Sequence, residues 1–284
     1  ELEAASPTGP LKGAFLRAEA AEAPVAVIIP GSGPTDRDGN SPLGIRAASY
    51  RLLAEGLQAQ GVSTVRTGKR AQFGSAGAPM PAEGPSMELY AADARLWART
   101  AAQAAGRPCA WLVGHSEGAL VALMAAAEGG DEVCGVVMVA GAGRRLSDVI
   151  REQLLANPAN GPILEPAMNA LSELEAGRRV DPATLPPVLL SLFNPAAQTL
   201  LISSFKVDPA ALLARYPGPT LVVHGTTDIQ VSAEDARRLC EARPGVRYLE
   251  LAGVNHVLKT APADRGGNFA TYAAPDLPLA PGVA

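Results

Sequence analysis

An α/β fold with a doubly wound, mostly parallel sheet and helices on both faces is predicted by three observations. Short β-branched runs alternate along the chain with amphipathic stretches. Several runs are apolar throughout, as expected for strands that helices cover on both faces. The repeated strand–helix–strand order implies right-handed crossovers within one sheet. The length of 284 residues allows a substantial core, and we expect a single domain over residues 1–284.

The individual elements follow from these runs. Strands are predicted at Val25–Ile29, Val62–Thr67, Cys109–Val113, Val133–Ala140, Thr220–His224 and Val246–Leu251. Helices are predicted at Arg46–Gln60, Met87–Ala104, Ala119–Ala127 and Ala233–Ala242. Ser86 and Ser232 are N-cap candidates for two of these helices, and Asp235 completes a capping box with Ser232. Glu1–Ala5 and Leu11–Ala18 predict an antiparallel hairpin at the sheet edge.

Residues Arg144–Tyr216 interrupt the alternation of predicted strands and helices. Helical patterns alternate there with prolines, and Asp208-Pro209 marks the start of a further helix. No strand of the main sheet is evident. We therefore expect a helical insertion over residues 144–216 that caps the carboxyl ends of the strands and shapes a pocket.

Composition and charge exclude several classes of function. The formal net charge is −4 and no run of Lys or Arg occurs, which argues against a nucleic-acid partner. No apolar stretch approaches the roughly 20 residues of a membrane-spanning helix. The chain begins with Glu1 rather than Met, which slightly favours an exported protein with a cleaved leader and leaves a cytoplasmic one open. The sequence predicts no particular oligomeric state.

The cysteines and histidines do not predict a metal site. Cys109, Cys134 and Cys240 are few and lack metal-ligand spacing, and two of them fall in predicted buried strands. We therefore expect inert core thiols rather than a disulfide framework. The three histidines are scattered and have no zinc-binding pattern.

The segment WLVGHSEGALVALMAAA, residues 111–127, contains a Gly-x-Ser-x-Gly sequence between a predicted strand and a predicted helix. Only Gly114–Gly118 join the two elements, so the turn is tight and the side chain of Ser116 projects from it. The two glycines remove Cβ atoms that would collide with the strand and the helix. The helix N-terminus favours a developing negative charge. This context predicts that Ser116 is a nucleophile rather than an ordinary turn serine.

A serine nucleophile needs a base at neutral pH, and three histidines are available. His115 adjoins the serine in the turn, so its side chain should point away. His224 ends a predicted strand and is interpreted as a structural residue. His256, on the loop after the last predicted strand, remains as the predicted base.

An acid that orients the imidazole is predicted at Asp228, on the loop after strand Thr220–His224. The order Ser116–Asp228–His256 is the one associated with this type of turn. A turn or N-cap role is the alternative for Asp228, and Asp235 and Asp264 are weaker candidates.

Two backbone amides are predicted to stabilise the oxyanion of a tetrahedral intermediate. One is that of Glu117, directly after the nucleophile, and the other is that of Ser32 in the loop VIIPGSGPTDRDGNS. Asp36, Arg37 and Asp38 in this loop are interpreted as a local ion-pair network, with contact between Arg37 and an anionic substrate as the alternative.

Four motifs in this order, GSGPTDRDGN, GHSEG, HGTTDIQV and NHVLK, resemble the α/β-hydrolase superfamily over nearly the whole chain. More narrowly, the chain is similar to a bacterial serine esterase-type branch. The resemblance implies hydrolysis of small carboxylic esters with short acyl chains, without a cofactor. It places Ser116, Asp228 and His256 at the catalytic triad and Ser32 and Glu117 at the oxyanion positions.

The sequence departs from this branch in two places. Its members usually carry Tyr-Asp and then Lys-Arg-Gly after the second long strand, whereas VRTGKRAQFGS has Thr67 and Gly68 at the pair and Ala71 at the glycine. We expect these changes to widen that side of the pocket. Similar proteins also have an amphipathic helix after the histidine, and no such pattern follows His256 here.

Other functions use the same residues or lack support. A peptidase or thioesterase would share the triad and differ only in pocket and leaving group. A ligand-binding protein with a retained hydrolase fold is a further alternative, although such proteins commonly lose a triad member. A dehalogenase would need aspartate at position 116, and GSGPTD lacks the third glycine of a dinucleotide-binding loop.

Overall fold

The computed structural model describes residues 1–284 and contains one large sheet and one small one. The strands are β1 Leu2–Ser6, β2 Gly9–Leu16, β3 Val25–Ile29, β4 Asn40–Ser41, β5 Ile45–Arg46, β6 Ser63–Thr67, β7 Ala110–His115, β8 Val133–Val139, β9 Thr220–Gly225 and β10 Arg247–Leu251. The helices are α1 Ser49–Ala59, α2 Met87–Ala105, α3 Glu117–Ala127, α4 Leu146–Leu155, α5 Leu164–Glu175, α6 Gln198–Phe205, α7 Pro209–Arg215, α8 Ala233–Glu241 and α9 Arg265–Ala270. None of these helices has the length and apolar character that a bilayer crossing requires.

The large sheet has eight strands in the order β1-β2-β6-β3-β7-β8-β9-β10. The strands from β6 to β10 pair in parallel, and β2 pairs antiparallel with both β1 and β6. The mostly parallel sheet and the edge hairpin that the sequence predicts are therefore confirmed. β3 is buried at every position, which explains its uninterrupted apolar run.

The strand order brings two loops together. After β3 the chain crosses to β6 on one side, and it later returns to β7 on the other side of β3. The loops that follow β3 and β7 therefore diverge at a topological switch point, where the carboxyl ends of the strands leave a crevice. Residues 30–33 and 115–117 face each other there.

Helices cover both faces of the sheet. On one face α2 and α3 pack in a cluster that includes Met87, Trp97 and Leu123. On the other face α1 contributes Tyr50 and Leu53 to a second cluster. Burial of these apolar side chains stabilises the packing of the helices on both faces of the sheet.

The helix boundaries confirm most of the predicted caps. Ser86 accepts a hydrogen bond from the amide of Leu89 at the start of α2, and Ser232 and Asp235 form the predicted capping box of α8. Helix α1 begins three residues later than predicted, at Ser49, because β4 and β5 pair with each other just before it.

Between β8 and β9 the chain contains the helices α4 to α7 and no strand. These helices share an apolar cluster of their own, in which Leu171, Leu174 and Phe193 are fully or almost fully buried. Helix α7 is capped by Asp208, whose side chain accepts from the amide of Ala211.

The expectation of inert thiols is wrong for two of the three cysteines. Cys109 and Cys134 form a disulfide, with their Cα atoms 5.2 Å apart. The reason is strand pairing: β7 and β8 are neighbours, and their first residues, Ala110 and Val133, are register partners. Two positions that are far apart in sequence thus lie side by side. Cys240 is free and partly buried.

Candidate active site

Ser116 occupies a strained position between β7 and α3. Its backbone has φ of 54° and ψ of −121°, a conformation that a residue other than glycine adopts only when its surroundings enforce it. A Cβ atom on Gly114 would lie 2.0 Å from the carbonyl oxygen of Gly118, and one on Gly118 would lie 2.5 Å from that of Ile29. Both glycines of the motif are therefore required by the close packing of the turn.

The loop after β3 passes directly over this turn. A Cβ atom on Gly31 would lie 3.3 Å from the Cβ atom of Ser116. The amide of Gly31 donates to the hydroxyl of Tyr50 at 2.9 Å, whereas that of Ser32 makes no hydrogen bond within the protein. The amide of Glu117, as the first residue of α3, lacks an intrahelical acceptor. Two N–H groups without an acceptor thus lie in the two segments that meet at Ser116, one in the loop after β3 and one at the start of α3.

The expected ion-pair network in the same loop is not found. Arg37 pairs with Glu1, at 3.2 Å, and Asp38 pairs with Arg66. Asp36 instead accepts hydrogen bonds from the amides of Asp38 and Asn40. The loop is held by these backbone contacts and by pairs to distant strands, because neighbouring charged side chains along an extended loop point in different directions.

The side chains of His256 and Asp228 lie close together. Nδ1 of His256 is 2.7 Å from Oδ2 of Asp228, and both side chains are almost fully buried. The other carboxylate oxygen accepts from the amides of Gln230 and Val231. Burial opposes the charge on Asp228, but His256 and these hydrogen bonds outweigh it and lower the pKa of the carboxyl group.

The loop that carries His256 is anchored on both sides. The side chain of Asn255 donates to Asn268 and Thr271, and the carbonyl of Val257 accepts from the hydroxyl of Ser49 at 2.7 Å. These contacts fix the imidazole from the side of α9 and from the side of α1. The only hydrogen bond of the imidazole ring is the one to Asp228, so none joins it to the hydroxyl of Ser116, although His256 and Ser116 line one cavity.

His115 has its own buried partners. Its Nε2 is 2.8 Å from the carbonyl oxygen of His256, and its Nδ1 is 2.8 Å from the hydroxyl of Tyr50. Burial, together with the neighbouring His256, lowers the pKa of His115 to about 3, so the ring is neutral. His224 is buried near the end of β9 and does not line the cavity that contains Ser116.

Glu117 is held by a lysine from the loop after β6. Nζ of Lys69 lies 3.1 Å from Oε1 of Glu117 and 3.2 Å from the carbonyl oxygen of Gly33. Both charged side chains are only 7% exposed. This pair connects the loop after β3 to the first turn of α3.

Ser116 and His256 line one small cavity of about 70 Å³, together with Ser32, Tyr50 and His115. A larger cleft of about 580 Å³ lies beside it, and Ile45 and Gln230 line both. The larger cleft is lined by the C-terminal end of α4 (Glu152, Gln153, Ala156), the loop with Leu43, the segment Asp228–Ser232, and the region of Phe269 and Tyr272. Its volume is typical of small-molecule sites.

Thr67 and Gly68 line a separate cavity of about 30 Å³ that does not include Ser116. The widening of the pocket on this side stays a prediction. Thr67 is fixed by a hydrogen bond to the carbonyl of Ile28 at 3.0 Å.

Tyr50, His115 and Lys69 gain roles here that sequence analysis did not assign. Lys69 follows a buried strand at the carboxyl edge of the sheet, the same positional signal that identified Asp228. Tyr50 had no comparable signal, because its contacts come from a helix whose rotation about its axis the sequence does not determine to the nearest residue.

No group of three or more His, Cys, Asp or Glu side chains is arranged to hold a metal ion. The chemistry available at this site is that of a hydroxyl, an imidazole, a carboxylate and backbone amides.

Comparisons with known proteins identify the family of the chain. Residues 10–270 match the model of the alpha/beta hydrolase family. Esterase EstD from Thermotoga maritima is 26% identical over 241 residues, which cover 83% of this chain and 54% of that protein. The chain thus spans about half the length of this curated relative.

Solved structures show the same fold. Est1E from Butyrivibrio proteoclasticus, with ferulic acid bound, has a TM-score of 0.59 at 16% identity and covers 96% of both chains. The enol-lactonase from Burkholderia xenovorans has a TM-score of 0.53 at 19% identity, over 88% of this chain and 90% of that one. The protein belongs to the alpha/beta hydrolase family.

Proposed function

We propose that the protein is a serine hydrolase that cleaves small carboxylic esters with short acyl chains through an acyl-enzyme. The observation that carries this proposal is the contact of 2.7 Å between His256 and Asp228, with His256 and the strained Ser116 lining one cavity. The likeness to an esterase supports the choice of ester substrates.

The hydrogen-bond pattern assigns the proton positions. Oδ2 of Asp228 accepts from Nδ1–H of His256, so Nε2 carries the free lone pair of the neutral ring. In the first step Oγ of Ser116 attacks the ester carbonyl carbon while Nε2 takes its proton. The imidazolium then protonates the departing alkoxide, and Asp228 stabilises the positive charge in between.

The carbonyl oxygen becomes an oxyanion as the bond forms. The amides of Ser32 and Glu117 would donate to it, since neither has an acceptor elsewhere in the protein. Water, deprotonated by His256, then attacks the acyl-enzyme through a second tetrahedral intermediate, and the carboxylic acid is released as Ser116 regains its proton.

The two neighbouring cavities support a short acyl group. The cavity of about 70 Å³ beside Ser116 is far smaller than the neighbouring cleft of about 580 Å³, which favours a short acyl group such as acetyl. The larger cleft, with the apolar side chains of Leu43, Ile45 and Phe269, would take the alcohol part. The insertion would act as a cap by forming one wall of that cleft.

The direct test is hydrolysis of p-nitrophenyl acetate by Ser116→Ala. We expect activity to fall by about 10⁶-fold or to the background rate, and labelling by a fluorophosphonate probe to disappear. Ser172→Ala is the matched control, because Ser172 lies on the exposed face of α5. Undiminished turnover or labelling of Ser116→Ala would rule out the proposed nucleophile.

A second panel separates an esterase from enzymes that share its residues. Acetyl esters, an acetyl thioester and a peptide amide are compared by kcat/KM. We expect the esters to exceed the amide by orders of magnitude. A higher kcat/KM for the thioester or the amide would replace the esterase assignment with a thioesterase or a peptidase.

A further inference from the structure

Lys69 touches both segments that carry the proposed oxyanion donors. Its ammonium group donates to the carbonyl of Gly33, the residue after Ser32, at 3.2 Å. It also donates to the carboxylate of Glu117, the residue after Ser116, at 3.1 Å. The loop after β3 and the start of α3 are far apart in sequence and are joined through this one group.

The position of Lys69 is well determined by its surroundings. Its side chain and that of Glu117 are each only 7% exposed, and Nζ lies 5.4 Å from the ring centroid of Tyr90. Hydrogen bonds between charged groups in such a site are strong and directional. The ammonium group therefore has little freedom to release either segment.

On the other side of Ser32, the neighbouring Gly31 is held by Tyr50. The hydroxyl of Tyr50 accepts from the amide of Gly31 at 2.9 Å. Both neighbours of Ser32 are thus held by buried side chains, while the amide of Ser32 itself remains free. Because the residues on both sides of Ser32 are held in place, the direction of its free N–H group is fixed as well.

Stability gives only a weak reason for burying this ion pair. Desolvation of two charges offsets much of their attraction, and a buried pair is often no better than apolar side chains of the same volume. A geometric role explains the pair better, since oxyanion stabilisation requires donors that are already in place when the charge develops.

We propose that Lys69 is a positioning residue that sets the distance between the amides of Ser32 and Glu117 and so preorganises the oxyanion hole. It acts through Gly33 and Glu117 and does not touch the substrate. This inference rests on the proposed function, because it assigns Lys69 to the same esterase site.

The test compares Lys69→Met with the wild type on p-nitrophenyl acetate. Complete loss of one oxyanion donor costs about 10² to 10³ in kcat, so a displaced donor should cost about 10- to 100-fold, with KM changed less than about 3-fold. The Ki of a trifluoromethyl ketone, whose adduct with Ser116 carries the oxyanion, should rise by a similar factor. The Ki of the matching non-fluorinated ketone, a ground-state mimic, should stay nearly constant.

Two further variants separate positioning from folding. Lys69→Met leaves the buried carboxylate of Glu117 without its partner, and adding Glu117→Gln removes that charge. The free energy of unfolding of the double variant should therefore return towards the wild-type value, while its kcat stays as low as that of Lys69→Met. Arg70→Met with Asp93→Asn removes a second buried ion pair, between the same loop and α2, in which neither side chain contacts the oxyanion segments. We expect this double variant to have a lower free energy of unfolding than the wild type and an unchanged ratio of the two ketone Ki values.

The outcomes distinguish the two proposals. Equal loss of affinity for both ketones, or recovery of kcat with stability in the double variant, would overturn the positioning role of Lys69. Failure of the wild type to hydrolyse esters or to react with a fluorophosphonate would overturn the proposed function instead.

Discussion

The hydroxyl of Tyr50 donates a hydrogen bond to Nδ1 of His115 at 2.8 Å. The direction follows from the other partners. The carbonyl of His256 can only accept, so Nε2 of His115 carries the proton and Nδ1 is the acceptor. The same Tyr50 oxygen accepts from the amide of Gly31. One phenol thus connects the loop after β3 to the turn around Ser116, and through His115 to the backbone of His256.

Replacing this phenol tests the connection. Tyr50→Phe keeps the ring but leaves a buried N–H group and a buried ring nitrogen without partners, which costs about 1–3 kcal/mol for each group. We expect the free energy of unfolding to fall by about 2 kcal/mol or more and kcat/KM for p-nitrophenyl acetate to fall about 10-fold.

Tyr248→Phe is the control for this variant, because its hydroxyl bonds to Glu250 on the exposed strand β10. Urea unfolding and steady-state kinetics are measured on both proteins. If Tyr50→Phe matched Tyr248→Phe in both measurements, the hydrogen bonds of Tyr50 would contribute neither to stability nor to catalysis.

The strand ends explain how much of the site the sequence predicts. Ser116, Asp228 and His256 each follow a strand of a parallel sheet, and the carboxyl ends of such strands share one edge. Local patterns therefore bring Asp228 and His256 to the same place without knowledge of distant contacts. The tight turn around Ser116 is similarly local, because its two glycines belong to the motif itself.

The contacts that the sequence does not predict come from side chains whose direction depends on packing. Arg37 pairs with Glu1 rather than with its neighbours, and Cys109 meets Cys134 because β7 and β8 pair in one particular register. Strand neighbours and register depend on the assembled sheet, so the prediction of inert thiols is wrong although the bounds of both strands are predicted to within two residues.

Acid pH should weaken the fold through the buried histidines. Burial holds the pKa of His115 at about 3 and also lowers that of His224, whereas an unfolded histidine titrates near 6.5. Between these values the unfolded chain binds more protons than the folded one, so stability is full above pH 6.5 and falls as the pH drops.

The expected slope is up to about 1.4 kcal/mol per pH unit for each histidine. Urea unfolding from pH 7 to pH 4.5 measures it. His115→Asn, which can keep one donor and one acceptor, should show a shallower slope than the wild type. Parallel curves for the two proteins would mean that His115 does not contribute.

Reduction of the disulfide should lower stability without stopping catalysis. Cys109 and Cys134 are separated by 25 positions, and closing a loop of that size stabilises by about 3.5 kcal/mol in the chain-entropy estimate. The bond lies at the start of β7, at the opposite end of that strand from Ser116.

Thermal unfolding with and without dithiothreitol checks this, beside the variant Cys109→Ser with Cys134→Ser. We expect a lower Tm in both cases and kcat within about 2-fold of the wild type at 25 °C. Cys240→Ser is the control, since this thiol is free, and its Tm should still fall on reduction. A Tm that is insensitive to reductant would show that the bond does not form in solution.

Gln230 should determine how long an acyl chain the site accepts. It lines both the small cavity beside Ser116 and the larger cleft. Its side chain donates to the hydroxyl of Tyr272 at 2.8 Å, and its carbonyl accepts from Gln153 of α4. The side chain is therefore held at the boundary between the two spaces, where it limits the smaller one.

Gln230→Ala removes that boundary and keeps the backbone amide that bonds to Asp228. We expect kcat/KM for p-nitrophenyl hexanoate to rise relative to the acetate by about 10-fold or more, since each buried methylene contributes about 0.8 kcal/mol. Gln153→Ala, which loses the contact from α4 and changes only the larger cleft, is the control and should keep the preference for acetate. An unchanged ratio in Gln230→Ala would place the acyl group elsewhere, because a wall that can be removed without effect does not confine the chain.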